Sequence, residues 1–280
     1  MAMTEEQFRF YDKNGYLFLP DHLSQPEVEA MKAELPSIFT EDSPRRVLEK
    51  EGGSVRSVYG SHVLNPVFGR LTRLSRIVGP AMQIVGGKVY VYQFKINTKS
   101  AFAGDLWDWH QDYVFWRNED GLARPSVANV AVYLHEINEF NGPMFLIPGS
   151  HRDGVIEVAA KDEWYGRKEN RPKPYQDSPA WVSNLTANLK YSLDKDVVSG
   201  LVERYGMVAP KGAAGSVLFF DGNIVHGSPS NISPLDRVVV FITFNSVENI
   251  PEGREQQRPE FLVSRDYTPI VPLSDDAALS

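Results

Sequence analysis

Residues 237–246 read RVVVFITFNS, with Arg237, Val239, Phe241 and Thr243 on one parity and Val238, Val240, Ile242 and Phe244 on the other. Successive side chains of a strand leave on opposite faces, so this β-branched and aromatic run reads as a core strand with two distinct faces. Working outward, 88–97 (KVYVYQFKIN), 127–135 (VANVAVYLH), 143–147 and 216–221 share the same character and are bounded by Gly, Pro and Asn. Several short strands without intervening helices predict an antiparallel sandwich or jelly roll.

The segment before these strands follows a helical period. Thr4 precedes Glu5, Glu6 and Gln7 in a capping-box start that ends at Asn14-Gly15, ahead of the apolar patch 16–19. Ser24 and Pro26 open a second helix through Ile38, carrying Val28, Met31 and Leu35 at helical spacing. Residues 41–60, rich in charge and Gly, read as a loop, and 67–84 as one further helix ending at Gly86-Gly87. The charged, Pro-containing stretch 152–205, with its Trp164-Tyr165 pair and a helix near 194–205, reads as an insertion between strands, a lid over a site. No Pro/Gly/Ser linker divides the chain. The expected organisation is therefore a single domain over 1–280: mainly helical at 1–86, with strands in 87–150 and 206–250.

The 280 residues include six His and no Cys, which excludes disulfides, thiolate metal sites and Cys nucleophiles. Any metal must then rest on His nitrogens and carboxylate oxygens. With 36 acidic against 29 basic residues the formal net charge is -7, which opposes a nucleic-acid surface or a polybasic membrane contact. The N-terminal residues lack the basic start and apolar core of a signal peptide, and no run of about 18 apolar residues occurs, so a cytoplasmic location is expected.

Chemistry concentrates in 107–113, WDWHQDY. On an extended strand His110 and Asp112 point to one side, about 6.6 Å apart, and can converge on one ion. A third ligand follows 116 residues later, where the apolar stretch 216–221 runs through Gly222-Asn223 to His226. Two His and one Asp leave positions of an octahedral ion open, the facial triad of non-haem Fe(II) oxygenases, whose open positions take a 2-oxoacid and then O2. Eleven residues beyond His226, Arg237 needs an anion if buried: either an internal carboxylate or the far carboxylate of a cosubstrate. The other four histidines lack a partner at ligand spacing. His151 reads as loop organisation, Trp109 as core filling, and Glu119-Asp120 as a solvated loop face.

Several segments together, WDWHQDYVFWRNEDG, EFNGPMFLIPGSH, FFDGNIVHGSPSNISPLDR, FNSVEN and RPEFLVSRD, resemble the phytanoyl-CoA dioxygenase family of Fe(II)/2-oxoglutarate oxygenases. The likeness is strongest to its bacterial branch of ectoine and free amino acid hydroxylases and spans nearly the whole chain. It implies a double-stranded β-helix, a cupin-like jelly roll, with the N-terminal helices packed on it. It implies Fe(II) on His110, Asp112 and His226, and 2-oxoglutarate held by Arg237 and Ser228, with Asn97, Trp107 and Asn129 beside it; the family usually has a smaller hydroxyl residue at the position of Asn129. Gln93 and Trp116 match substrate-contacting positions, whereas Val239 stands where ectoine hydroxylases carry an Asn that touches substrate. Related halogenases have a small residue at the position of Asp112, so its presence implies hydroxylation. The expected product chemistry is hydroxylation of a small polar or zwitterionic molecule, with succinate and CO2 released.

The same chemistry on a larger natural-product or acyl substrate is a rival reading. So are a jelly-roll metal-dependent isomerase or hydrolase and a non-enzymatic binding module. The expected partner is a small molecule, with no nucleic acid or membrane, and the chain itself a monomer or homodimer.

Overall fold

The computed structural model of the protein describes residues 2–161, 180–187, 189–253, 257–274 and 278–279. Thr4 and Gln7 form a reciprocal capping box on α1 (Glu5–Asn14), and Gly15 ends the helix at φ 76°, a left-handed conformation that a side chain would strain. The apolar patch beyond it is strand β1 (Tyr16–Leu19). Helix α2 (Gln25–Thr40) opens on the Ser24/Glu27 box with Pro26 in its first turn, and buries Val28, Met31 and Leu35.

Two sequence expectations fail here for identifiable reasons. Residues 41–60 are not simply a loop: they fold back as β2 (Arg46–Leu48) and β3 (Val55–Tyr59) around left-handed Gly52 and Gly53. The charges that read as a loop signal are partly internal, because Glu49 and Arg56 pair at 3.0 Å while nearly inaccessible. The helix expected over 67–84 is broken. After α3 (Ser61–Leu64) come α4 (Pro66–Leu71) and α5 (Ser75–Val85), separated where the Thr72 hydroxyl donates to the Gly69 carbonyl and Leu74 turns extended to bury itself completely.

The strands that follow are β4 (Val89–Lys99), β5 (Trp107–His110), β6 (Val127–Tyr133), β7 (Phe145–Leu146), β8 (Val217–Asp221), β9 (His226–Ser228) and β10 (Arg237–Ser246). A short helix α6 (Asp112–Phe115) follows β5, and α7 (Lys195–Tyr205) lies where the sequence placed a helix. The rest of the expected lid, including Trp164-Tyr165, falls largely on 162–179, outside the described residues.

All pairings are antiparallel, in a seven-stranded sheet ordered β1-β8-β6-β10-β4-β3-β2 and a three-stranded sheet β5-β9-β7. Strand β10 lies between β4 and β6 at the centre of the large sheet, and its two parities divide the molecule. Val238, Val240, Ile242 and Phe244 join the cluster formed with α2, α4 and α5, through Met31, Phe68 and Ile77. Val239 and Phe241 face the other way, packing with Tyr133, Met144, Leu146 and Phe220 between the sheets. This is the double-stranded β-helix, with helices on one face of the large sheet and a sheet-lined interior on the other. Among the described residues no helix is long and apolar enough to cross a membrane.

Glu27 ties α2 to α5, accepting from the Ser24 backbone and hydroxyl and pairing with Arg76 while only 3% exposed. Burial pushes its pKa up, but the Ser24 hydrogen bonds and the Arg76 guanidinium outweigh that and hold the carboxyl below its ordinary value. A depressed folded-state pKa means that the stabilisation is complete above the usual glutamate range and is lost as pH falls through the folded value. Glu27→Gln is therefore expected to lower unfolding free energy by about 2 kcal/mol at neutral pH. In urea titrations the gap to the parent protein should narrow steadily as pH drops below about 4.

Candidate metal centre and adjoining chambers

His110 ends β5 and His226 begins β9, and the two are direct partners in the antiparallel register. Their rings lie 4.2 Å apart between centroids. Each imidazole is held from behind in the same way: Nδ1 of His110 lies 2.6 Å from the carbonyl of Asp108, and Nδ1 of His226 lies 3.0 Å from that of Ile224. With Nδ1 as the donor, Nε2 is left as the lone-pair nitrogen toward the centre.

Asp112 completes the group differently from the expectation of one continuous strand. The strand stops at His110, Gln111 stays extended at φ -113° and ψ 129°, and Asp112 is the first residue of α6. One extended residue suffices to return Asp112 to the side of His110. Gln111 is fixed by two loops, donating to the Gly154 and Asn223 carbonyls and accepting from the Ile156 amide. The Asp112 oxygens then lie 3.5 Å from Nε2 of His110 and 3.8 Å from Nε2 of His226.

The donor atoms of His110, Asp112 and His226 all fall within 4.8 Å of one another. Their charge states suit a divalent cation. Burial would raise the Asp112 pKa, but Lys95 and the two imidazoles hold it well below the usual carboxylate range. Burial, followed by neighbouring His110, lowers the His226 pKa to about 4, so its imidazole is neutral at neutral pH. An ionised carboxylate and a neutral imidazole are the ligating forms of these groups.

Beside the triad lies a cavity lined among others by Asn97, Trp107, Ser228, Phe241 and Arg237. Arg237 is 4% exposed, donates from Nη1 to the Gly142 carbonyl at 2.7 Å, and has no hydrogen-bond partner for its Nε. Burial pulls its pKa down to about 10, and no carboxylate among the described residues pairs with it. Among the described residues, therefore, no internal acid fills that role. A buried, unpaired guanidinium is costly unless an anion joins it, and a 2-oxoacid's far carboxylate fits that requirement.

Asn129 sits elsewhere in the design. Its amide donates to Asp112 Oδ2 at 3.2 Å and accepts from the Thr243 hydroxyl at 2.7 Å, an arrangement that steadies the carboxylate from behind.

A second chamber shares His110 and Asp112 and has Gln93, Trp116 and Phe115 in its wall. The Gln93 amide donates to the Leu262 carbonyl at 2.9 Å, which commits one end of that side chain to the C-terminal segment. Trp116 is buried edge-on to Tyr92. Lys95 borders both cavities and makes no hydrogen bond among the described residues; it lies 5.3 Å from the Phe241 ring and 6.0 Å from that of Trp107.

Sequence reasoning missed Arg258, which lines this chamber while forked onto Asp120, itself bonded to Tyr92. It also misread Glu119-Asp120 as solvated: Asp120 is 6% exposed, and Glu119 accepts from Lys190 and Tyr191. Neither partner of these acids lies within the same helix or strand, so no periodic signal could have revealed them.

The other four histidines lie apart from the triad. His22 meets the Arg76 carbonyl, His62 stacks on Phe94, His151 reaches the Asp12 carbonyl, and His135 is half-buried at a strand end. Trp109 stacks on Phe145 and packs beside Ile147, Leu193 and Val225.

A double-stranded β-helix whose paired strands bring two His and an Asp to one point defines the class of jelly-roll proteins built around a mononuclear metal. Residues 11–239 match the family model described as phytanoyl-CoA dioxygenase (PhyH), and the chain belongs to that family. It is 39% identical over 266 residues to the L-proline trans-4-hydroxylase of Streptomyces griseoviridis, covering 95% of this chain and 94% of that protein. It is 33% identical over 267 residues to the ectoine dioxygenase of Halomonas elongata, covering 93% and 76% respectively. Its fold matches the crystal structure of EctD from S. alaskensis with 2-oxoglutarate and 5-hydroxyectoine at a TM-score of 0.81 and 30% identity, over 99% of this chain and 89% of that one.

If Asn129 steadies the Asp112 carboxylate, Asn129→Leu should weaken Fe(II) or Co(II) binding by roughly 10- to 100-fold, the usual cost of an outer-shell partner. Anaerobic calorimetric titration measures this. Thr243→Val, which removes only the bond that orients the amide, should give a smaller loss.

Proposed function

We propose that this chain is an Fe(II)- and 2-oxoglutarate-dependent dioxygenase that hydroxylates an unactivated C–H of a small zwitterionic substrate, a free amino acid or ectoine-like compound. The observation that carries this reading is Arg237: a buried cation without an acidic partner among the described residues, lining the same cavity as the triad. An isomerase or hydrolase needing no 2-oxoacid gives such a residue no anion to hold. Family membership and the 39% identity to an L-proline hydroxylase support the same chemistry.

His110, Asp112 and His226 would hold the Fe(II), and Arg237 with Ser228 the far carboxylate of 2-oxoglutarate. Bound there, the iron supplies the activation of O2 that couples decarboxylation to succinate and CO2 with oxygen insertion into a C–H bond. The chain's own tasks are positional. The carbonyls of Asp108 and Ile224 keep the imidazoles aimed, and Asn129 keeps the carboxylate aimed. The second chamber receives the substrate, with Gln93 and Trp116 in its wall. Val239 leaves one polar contact of ectoine hydroxylases unmade, and with the higher identity to the proline enzyme this favours a cyclic amino acid.

A panel of cyclic amino acids, ectoine and acyl-CoA thioesters, assayed for succinate and for product mass, tests the reading. The expected result is one added oxygen on a cyclic amino acid; hydroxylation confined to acyl-CoA or large natural products would overturn it. Arg237→Met is expected to raise the KM for 2-oxoglutarate roughly 10- to 100-fold, as for loss of a charge-assisted hydrogen-bonded pair. His110→Ala and Asp112→Ala should abolish turnover while leaving the circular dichroism spectrum unchanged.

A further inference from the structure

Trp107 forms part of the wall of both chambers, and what holds its ring is a residue of the distant β2–β3 hairpin. Arg56 on β3 is 1% exposed, and its guanidinium carbon lies 3.8 Å from the centroid of the Trp107 ring. Stacking uses the face of the guanidinium and leaves its in-plane N–H groups free. All three nitrogens are used. Nε donates to the Leu185 carbonyl at 3.0 Å, Nη2 to the Leu106 carbonyl at 2.8 Å, and Nη1 to Glu49 at 3.0 Å. The second Glu49 oxygen accepts the backbone amide of Asp105 at 3.1 Å.

These bonds converge on chain segments that build the substrate chamber. Residues 105–107 lead directly into the strand ending at His110. Leu185 ends the 3-10 helix Ala180–Leu185, and with Leu189 it lines the same chamber as the triad. One planar cation thus joins two parts of the chamber wall, Trp107 and the segment carrying Leu185.

We infer that Arg56 is a positioning residue for substrate: it fixes the Trp107 wall and latches the 180–187 segment to it, so that the C–H is held in place and water is kept out. Lysine cannot substitute, because a single ammonium lacks both the stacking face and the three-way in-plane fork. The residue acts through its neighbours and touches neither metal nor cosubstrate.

The test compares Arg56→Met and Arg56→Lys with the parent protein by hydrogen–deuterium exchange and by turnover. In the metal-free protein, both variants should exchange faster in peptides covering 104–110 and 180–187, while β4 and β10 stay protected. In turnover, substrate KM should rise about tenfold and succinate should exceed hydroxylated product. Unchanged exchange in those two peptides, or unchanged substrate KM and coupling, in a folded variant would overturn the inference. So would full rescue by Lys, which would reduce the role to that of a buried positive charge. Should Arg56→Met fail to fold, Arg56→Lys decides by the same readings. The turnover arm rests on the proposed hydroxylase reading and the exchange arm does not, so absence of 2-oxoglutarate turnover in the parent protein would fail that reading while leaving the latch testable.

Discussion

Each imidazole of the triad is clamped by the carbonyl two residues before it, and the site depends on this repeated local bond. A histidine ring free to rotate offers either nitrogen to a ligand and loses rotational entropy on binding. Here the backbone carbonyls of Asp108 and Ile224 spend that entropy during folding and leave only Nε2 facing Asp112. The clamps work because the His-bearing strands β5 and β9 are themselves paired in register, His110 against His226. The small sheet is therefore less a structural layer than a frame for two rings.

Electrostatics divides the molecule in a way that net charge conceals. The chain carries seven more acidic than basic residues, yet its interior cavities are edged by cations: Lys95, Arg237 and Arg258. Arg258 is neutralised by Asp120, while Arg237 and Lys95 have no acidic hydrogen-bond partner among the described residues. An interior arranged this way repels small cations and favours a dianionic cosubstrate, with Asp112 as the local exception that reserves one point for a metal.

The strand-rich half of the fold was legible because its signals are local. Residues 237–246, 88–97 and 127–135 alternate β-branched and aromatic residues over many positions, and the strands of the structure fall on them closely. The β2–β3 hairpin was hidden because Glu49 and Arg56 imitate a solvated loop in composition while pairing inside the fold. The triad residues and Arg237 could be picked out from residue type and spacing, since few side chains bind metals or oxoacids. Arg258 and Arg56 could not, for their meaning lies in which carbonyls and rings they meet across long sequence separations. Asn129 illustrates the intermediate case: its place near the centre could be anticipated by offset from His110, but its bond to the Asp112 carboxylate needed three dimensions.

The cross-strand pairing of His110 with His226 also fixes an order of events during biosynthesis. A chain leaving the ribosome presents His110 and Asp112 while His226, more than a hundred residues downstream, is not yet made. Two of three donors, on a strand without its partner, hold a divalent ion weakly. The three donors come together only when the last third of the chain closes the small sheet, so a full three-donor site exists only in a nearly finished fold.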